Sequence, residues 1–179
     1  IDEGSYYSAK AIGVKYHTNP NHSEFIEKIS LKIFDSLKKY HQLGKRERQL
    51  LSIVCYLLEV GTFINRKNYQ IQSCNIIETT EIVGVTQKEK DLMGKVAEAV
   101  RVSFIAIEES IYLKNDQEQL VVAKLAAILK LAIALDKSSQ QKIQKLQCRL
   151  KEEKLLIEVT TAKNFQLEEH FFKVSRNTM

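Results

Sequence analysis

The chain has 179 residues, of which 44% are hydrophobic and 27% charged, a composition typical of globular proteins that argues against an intrinsically disordered chain. A membrane span is not expected, because Lys124 and Lys130 interrupt the best apolar run before it reaches the roughly 18 uncharged residues that a span needs. The net charge is +5, and most of the excess lies from Lys137 onward. This bias favours an anionic partner such as a polyphosphate or a nucleic acid, although an ordinary lysine-rich surface has the same composition.

The three cysteines, Cys55, Cys74 and Cys148, are odd in number, far apart and outside any Cys-x-x-Cys spacing. This pattern argues against a disulfide framework and against a zinc site, and it fits a reducing, cytoplasmic location. The chain begins with Ile1 and has no basic-then-apolar leader. We therefore expect a domain taken from a longer protein.

The first third of the chain predicts three helices. A weak helical pattern occupies residues 1–16. The break at Asn19-Pro20-Asn21 favours the start of a second helix, whose apolar period runs to Tyr40 before Leu43-Gly44 closes it. A third helix is predicted over residues 45–64, with Gly61 marking its end or a kink.

The middle of the chain predicts two more helices. One begins at about Gln72, after a loop at residues 65–68. Thr86 and Glu89 have the spacing of a capping box, and the apolar period that follows predicts one long helix to Leu113.

The central element of the predicted fold is the stretch 117–139. Its apolar residues cover nearly the whole circumference of a helix, which must therefore be buried, with Lys124 and Lys130 as its clear solvent contacts. Asn115 or Asp116 supplies the N-cap, and Asp136 begins the polar end. The other helices should wrap around this one.

The period changes after the central helix. Alternating residues over 143–150 and 155–160 predict a β-hairpin, and Asn164 could cap a last helix. The predicted fold class is mainly α: an α-helical domain over residues 1–140, followed by a small α/β module with a β-hairpin over residues 141–179.

Several segments, taken in order, carry a family resemblance: Tyr16-His17, Asn21-His22, FDSLKKYHQLG, LLSIVCYLLEVGTFIN, KVAEAVRVS and AAILKLAIALDKS. This order resembles the C-terminal HD-like helical domain of the exopolyphosphatase/guanosine pentaphosphatase (Ppx/GppA) family, most specifically in LKLAIALDKS. The resemblance implies an HD-like bundle that forms a homodimer and follows an actin-like ATPase-fold region. That N-terminal region would hydrolyse phosphoanhydride bonds with Mg²⁺ as the implied ion, and no cofactor is expected in this chain.

HD phosphohydrolases bind a metal through an early His, a His-Asp pair and a later Asp. By this resemblance His22 matches the early His, Leu58-Glu59 stands at the pair, and Ile133 stands at the later Asp. Leucine and isoleucine cannot ligate a metal. The resemblance therefore implies degenerate HD positions at His22, Leu58, Glu59 and Ile133, with no metal site and no catalytic residue.

Each of the remaining polar residues has more than one interpretation. His22 either satisfies local backbone groups at a helix start or ligates a metal, and Glu59 either pairs with a Lys or Arg or ligates a metal. Asp136 is expected to cap the central helix. Arg101 could hold Glu59 or Asp136, or could point to a phosphate.

The function predicted from these observations is a non-catalytic domain for substrate binding and dimerisation. The possible polyphosphate-binding residues are Lys38, Lys39, Lys45, Arg46, Arg48, Lys145, Arg149 and Lys151. Strand alternation places the last three on one face. Two alternatives remain, a metal-dependent HD-type nucleotide phosphohydrolase and a nucleic-acid-binding module, and the absence of Trp weighs against base stacking in the latter.

Overall fold

The computed structural model describes residues 3–113, 116–136, 143–151 and 154–161. In these ranges the chain is mainly α-helical and ends in a two-stranded antiparallel sheet, which confirms the predicted fold class of helices followed by a hairpin. The helices are α1 (Glu3–Lys15), α2 (Pro20–Ser36), α3 (Lys38–His41), α4 (Lys45–Leu57), α5 (Tyr69–Thr79), α6 (Gln87–Ala99), α7 (Phe104–Leu113) and α8 (Gln117–Leu135). None of the helices in the described ranges is long and apolar enough to cross a membrane.

The predicted start of α2 is confirmed. Pro20 occupies the first turn, and the Asn19 side chain accepts hydrogen bonds from the backbone N–H groups of Asn21 and His22. The predicted continuation of this helix to Tyr40 is wrong, because α2 ends at Ser36 and the single turn α3 follows. After α3, Gln42 adopts a left-handed conformation with φ of 57° and turns the chain toward α4.

The predicted helix over residues 45–64 is shorter in the structure. It ends at Leu57, and a 3-10 turn over Val60–Phe63 replaces its last part. Gly61 lies in this turn, and a Cβ atom there would come 2.0 Å from the carbonyl oxygen of Tyr69. Only glycine allows the start of α5 to approach the turn this closely.

The capping box before α6 is confirmed: the Glu89 N–H donates to Thr86 Oγ1, and the Thr86 N–H donates to the Glu89 carboxylate. The single long helix predicted from there to Leu113 is wrong, since α6 ends at Ala99 and α7 begins at Phe104. Ser103 begins the second helix by accepting a hydrogen bond from the N–H of Ala106. The predicted helix near Gln72 exists as α5 and starts three residues earlier.

The burial predicted for α8 is confirmed, because no residue from Glu118 to Asp136 is exposed and the helix packs against α2, α4, α6 and α7. Asp116 caps it as predicted, accepting a hydrogen bond from the Glu118 N–H. The two lysines of α8 do more than contact solvent. Lys124 donates to the carbonyl of His41 at 2.8 Å, Lys130 donates to the carbonyl of Val100 at 2.9 Å, and burial lowers the pKa of both amines.

The predicted hairpin is formed by β1 (Ile143–Lys151) and β2 (Lys154–Thr161), in antiparallel register with Leu146 opposite Val159. β1 packs against α2, and its inward residues, among them Leu146 and Cys148, join the same hydrophobic core as the helices. The boundary at residue 140 stays a prediction, and the helix predicted from Asn164 lies outside the described residues.

Candidate functional site

Three helix ends bring polar side chains together at one side of the bundle. His22 lies in the first turn of α2, Glu59 in the turn after α4, and Asp136 directly after α8. His22 Nε2 is 3.4 Å from Glu59 Oε1, and His22 Nδ1 is 3.2 Å from Asp136 Oδ2. These three residues form the histidine–carboxylate cluster, in which one imidazole ring lies between two acids.

The turn that carries Glu59 is fixed by backbone contacts. Ser73 of α5 donates its hydroxyl proton to the carbonyl of Leu58 at 2.6 Å and accepts from the N–H of Gly61 at 2.9 Å. Thr62 donates to the Glu59 carbonyl at 2.7 Å. The Leu58 side chain is buried in the core. The backbone of the turn that carries Glu59 is therefore held by its contacts with α5.

The electrostatics of the histidine–carboxylate cluster favour a protonated imidazole. The hydrogen bond that His22 donates to the Glu59 carboxylate is the main cause that raises the pKa of His22, and the attraction of Asp136 adds to it. Burial and the positive end of the α2 dipole act in the opposite direction, but they are outweighed. The side chain of Asp136 is only 2% exposed, whereas that of Glu59 is 34% exposed. When it is protonated, His22 therefore places a positive charge beside a buried carboxylate.

The cluster does not fit the metal of an HD phosphohydrolase. The two ring nitrogens of an imidazole point to different sides, and here each faces a different carboxylate. A metal bound at one nitrogen could reach only one of the acids. Leu58 and Ile133 offer no donor atom in their side chains, and within the described ranges no group of three His, Cys, Asp or Glu residues could hold a metal ion.

The structure changes the interpretation of three polar residues. Asp136, expected only to cap α8, points its carboxylate toward His22, while Ile133 lies one turn earlier and its carbonyl accepts from the Asp136 N–H. Glu59 pairs with His22 rather than with a Lys or Arg. Arg101 is exposed and pairs with Glu98 of its own helix end, at 3.4 Å. No local pattern marks Asp136 as a partner of His22, because 114 residues separate them in the sequence.

The two predicted arginines at the start of α4 connect helices. Arg46 makes a bidentate ion pair with Glu89 of α6, with distances of 2.6 and 2.9 Å, and lowers the pKa of that carboxyl to about 2. Arg48 makes a bidentate ion pair with Asp35 of α2, with both distances 2.8 Å. Because their guanidinium groups already bind carboxylates, these arginines are poorer candidates for anion binding than the lysines nearby.

The predicted lysines at the α2–α4 junction, Lys38, Lys39 and Lys45, are all exposed. On β1, the predicted residues Lys145, Arg149 and Lys151 are exposed on the face opposite the buried Leu146 and Cys148. Arg149 is engaged by Glu158 of β2 at 2.8 and 2.9 Å. The five lysines of the predicted set are therefore exposed cations that take no part in the ion pairs of Arg46, Arg48 and Arg149.

A second polar cluster joins α1, α2 and α4, and no local sequence pattern identifies it. The carboxylate of Glu27 accepts hydrogen bonds from Ser52 and from Tyr56, the latter at 2.7 Å, and Tyr6 lies 2.8 Å from the Tyr56 hydroxyl. Burial is the main cause that raises the pKa of Tyr56. Lys10 lies over the ring of Tyr6, 4.6 Å from its centroid. These contacts bind three helices to one another.

The chain matches a known protein family. A family model described as Ppx/GppA phosphatase, domain III, matches residues 6–175. This range includes every residue of the histidine–carboxylate cluster and both basic regions, and it confirms the resemblance noted in the sequence. No match was found among curated proteins.

Proposed function

Because the chain belongs to the Ppx/GppA phosphatase family, we propose that it is a non-catalytic domain that binds a polyanion and forms a dimer within a protein that hydrolyses polyphosphate or guanosine pentaphosphate. Hydrolysis itself is assigned to an N-terminal actin-like ATPase-fold region, where Mg²⁺ would act. The role of the present domain is to hold a long substrate.

The non-catalytic assignment is supported by the histidine–carboxylate cluster. Activating water near neutral pH in an HD-type site needs a bound metal, and the donor geometry around His22 does not suit one. A protonated imidazole bound on both sides by carboxylates is also a poor general base. We therefore assign the cluster to the connection of α2, α4 and α8 rather than to chemistry.

The proposed polyanion surface rests on the position of β1 along α2. Cys148 lies beside Lys32 and Ser36, in the last part of α2 and just ahead of Lys38 in the chain. The exposed lysines of the hairpin and of the α2–α4 junction thus flank the same helix end. A long polyphosphate could engage both groups at once, and its affinity would come largely from the release of counterions.

The test is a set of charge-matched variants of the 179-residue chain. The first variant changes Lys38, Lys39 and Lys45 to Gln, and the control changes three exposed lysines elsewhere to Gln, namely Lys15, Lys67 and Lys88. Affinity for long and for short polyphosphate is measured over a range of salt concentrations. We expect the first variant to bind long polyphosphate at least tenfold more weakly than the control, with a smaller difference for short chains.

Three results would contradict the proposal. Equal affinities of the variant and the control would show that Lys38, Lys39 and Lys45 do not bind polyphosphate. Equally strong, salt-sensitive binding of single-stranded DNA would reduce it to unspecific anion attraction or favour the nucleic-acid module. Phosphate release from a nucleotide that disappears in Glu59→Gln would favour the HD phosphohydrolase.

A further inference from the structure

Three aromatic rings meet at the end of α1. The ring of Phe63, in the 3-10 turn, lies 5.8 Å from that of Tyr16 with an interplanar angle of 80°, and 5.6 Å from that of His17 with an angle of 30°. Phe63 is 59% exposed and His17 is also exposed, whereas Tyr16 is half-buried. We call these three residues the aromatic platform. Although its rings contact one another, much of their surface is open to solvent.

The backbone that carries His17 is held in an uncommon conformation. α1 ends in a Schellman motif, in which the Thr18 N–H donates to the Gly13 carbonyl at 3.0 Å. His17 occupies the left-handed position of this motif, with φ of 57°, where glycine is the usual residue. A larger residue at such a position costs stability, and costs of this kind are concentrated at functional sites. What the chain gains here is an imidazole ring against an exposed Phe63 ring.

The turn that carries Phe63 is also held in place by hydrogen bonds. The N–H of Asn65 donates to the Gly61 carbonyl at 3.0 Å. The side chain of Asn65 accepts from the N–H of Lys67 at 2.9 Å. The backbone positions of Phe63 and Lys67 are therefore fixed relative to each other.

The two segments that form the aromatic platform are basic. Residues 4–23 and 60–77 contain no Asp or Glu. Three of their cations are exposed and pair with no carboxylate in the described part of the chain: Lys15, Arg66 and Lys67. Lys15 Nζ lies 5.6 Å from the ring centre of Tyr16. The other two follow Phe63 by three and four residues, so open rings and positive charge occur together.

We propose that the aromatic platform binds a single-stranded nucleic acid, with one base stacked on Phe63 and His17. The phosphates on either side of that base pair with the three exposed cations. Proteins that bind single strands combine the same two features, namely aromatic rings for the bases and cations for the backbone. Cations alone attract any polyanion, whereas exposed rings in contact with one another suit a flat base.

The aromatic platform lies far from the lysines of the α2–α4 junction. His17 precedes the first residue of α2 by three residues, whereas the junction follows the last residue of α2. This helix has 17 residues and is therefore about 25 Å long. The two regions lie at opposite ends of it, so the inference does not depend on the proposed binding of polyphosphate.

The first experiment measures the binding of a labelled six-nucleotide oligothymidylate to the 179-residue chain by fluorescence anisotropy. The control ligand is an abasic hexamer, which has the same phosphates and no bases. We expect the ligand with bases to bind about fivefold more tightly or better, because base stacking adds to the attraction of the phosphates. Equal affinities for the two ligands would overturn the proposal.

The second experiment tests the rings. Phe63→Ala should raise the Kd of the hexanucleotide about fivefold or more, whereas Phe63→Tyr keeps a ring and should leave it unchanged. The matched control is Ile64→Ala, because Ile64 is 58% exposed and has no ring. His17→Gly should raise the Kd about threefold while its melting temperature is no lower than that of the wild type, because glycine relieves the left-handed position. A lower melting temperature with an unchanged Kd would assign His17 a structural role and contradict the proposal.

The third experiment uses the two sets of lysine variants described above. The set with Gln at Lys15, Lys67 and Lys88 removes two of the three cations of the platform. It should bind the hexanucleotide about threefold more weakly than the set with Gln at the junction lysines, and the order should be reversed for long polyphosphate. Equal affinities of the two sets for the hexanucleotide would overturn this inference, whatever the result with polyphosphate.

Discussion

Replacing His22 with Gln tests whether the histidine–carboxylate cluster stabilises the fold. The change removes the positive charge beside Asp136, whose side chain is 2% exposed. Breaking a buried ion pair by removing one partner costs about 3–5 kcal/mol. His22 is itself 15% exposed, and its second partner Glu59 is screened by solvent. We therefore expect a loss of about 2–3 kcal/mol at pH 6.

The loss should depend on pH with a defined sign. The pKa of His22 is raised in the folded chain above its usual value of 6.5, mainly by Glu59. Its stabilising contribution is therefore fully present below about pH 6.5 and is lost as the pH rises through the folded pKa. Above the folded pKa the imidazole is neutral, so His22→Gln should cost less at pH 9 than at pH 6.

His41 has the opposite pH dependence. Its Nδ1 accepts from the N–H of Leu43 and its Nε2 donates to the carbonyl of Phe34, so it is held neutral, and burial lowers its pKa. Because the folded chain disfavours protonated His41, this residue lowers the free energy of unfolding as the pH falls below about 6.5. His41 is present in both proteins, so only the difference between the wild type and His22→Gln reports on the cluster.

The assay is urea unfolding of the wild type and His22→Gln at pH 6 and pH 9. Asp136→Asn is the companion variant, because it removes the other charge of the same pair and should lose the same pH dependence. A difference in unfolding free energy below about 0.5 kcal/mol at pH 6, or one that is equal at both pH values, would refute the reasoning.

Two further changes test local features of the fold by urea and thermal unfolding. Gly61→Ala should lower the free energy of unfolding by about 3 kcal/mol, because its Cβ would lie 2.0 Å from the Tyr69 carbonyl oxygen and the backbone would have to move. A loss no larger than that of Gly44→Ala would contradict this prediction. Thr86→Ala should lower the free energy of unfolding by about 1 kcal/mol, because the Glu89 N–H loses its hydrogen-bond acceptor. Thr86→Ser should keep most of this stability. An unchanged melting temperature in the alanine variant would show that the cap is dispensable.

Features that depend on neighbours within a few residues could be predicted from the sequence. Asn19, Thr86 and Asp116 cap helices because each side chain reaches an N–H two or three positions ahead. The burial of α8 was also predictable, since a helix that is apolar on every side has no stable alternative to the core.

The interruption between α6 and α7 could not be predicted from hydrophobic period, because apolar residues continue through Val100 and Val102. What favours the break is partly tertiary: Lys130 of α8 takes the carbonyl of Val100 as its hydrogen-bond acceptor. Ser103 was the available local signal, and its capping role becomes evident only once the helix is known to stop.

The candidate site could be predicted only in part, because its residues are far apart in the sequence. His22 and Glu59 were identified from the family pattern, but the acid that meets them is Asp136, three residues after the position expected at Ile133. The basic residues show the same limit. The sequence predicts Arg46 to be a surface cation, because its carboxylate partner Glu89 is 43 residues away and no local pattern connects the two.

α2 packs against four other elements, namely α1, α4, α8 and β1. Its inward residues Ile29 and Ile33 are at most 2% exposed. The helix cannot open without separating most of the bundle, so its amide protons exchange with solvent through global unfolding. Any partner that binds only the folded chain slows this exchange by its full binding free energy, wherever it docks. The exchange rates of the α2 amide protons can therefore be used to compare the binding free energy of a second copy with that of a polyanion.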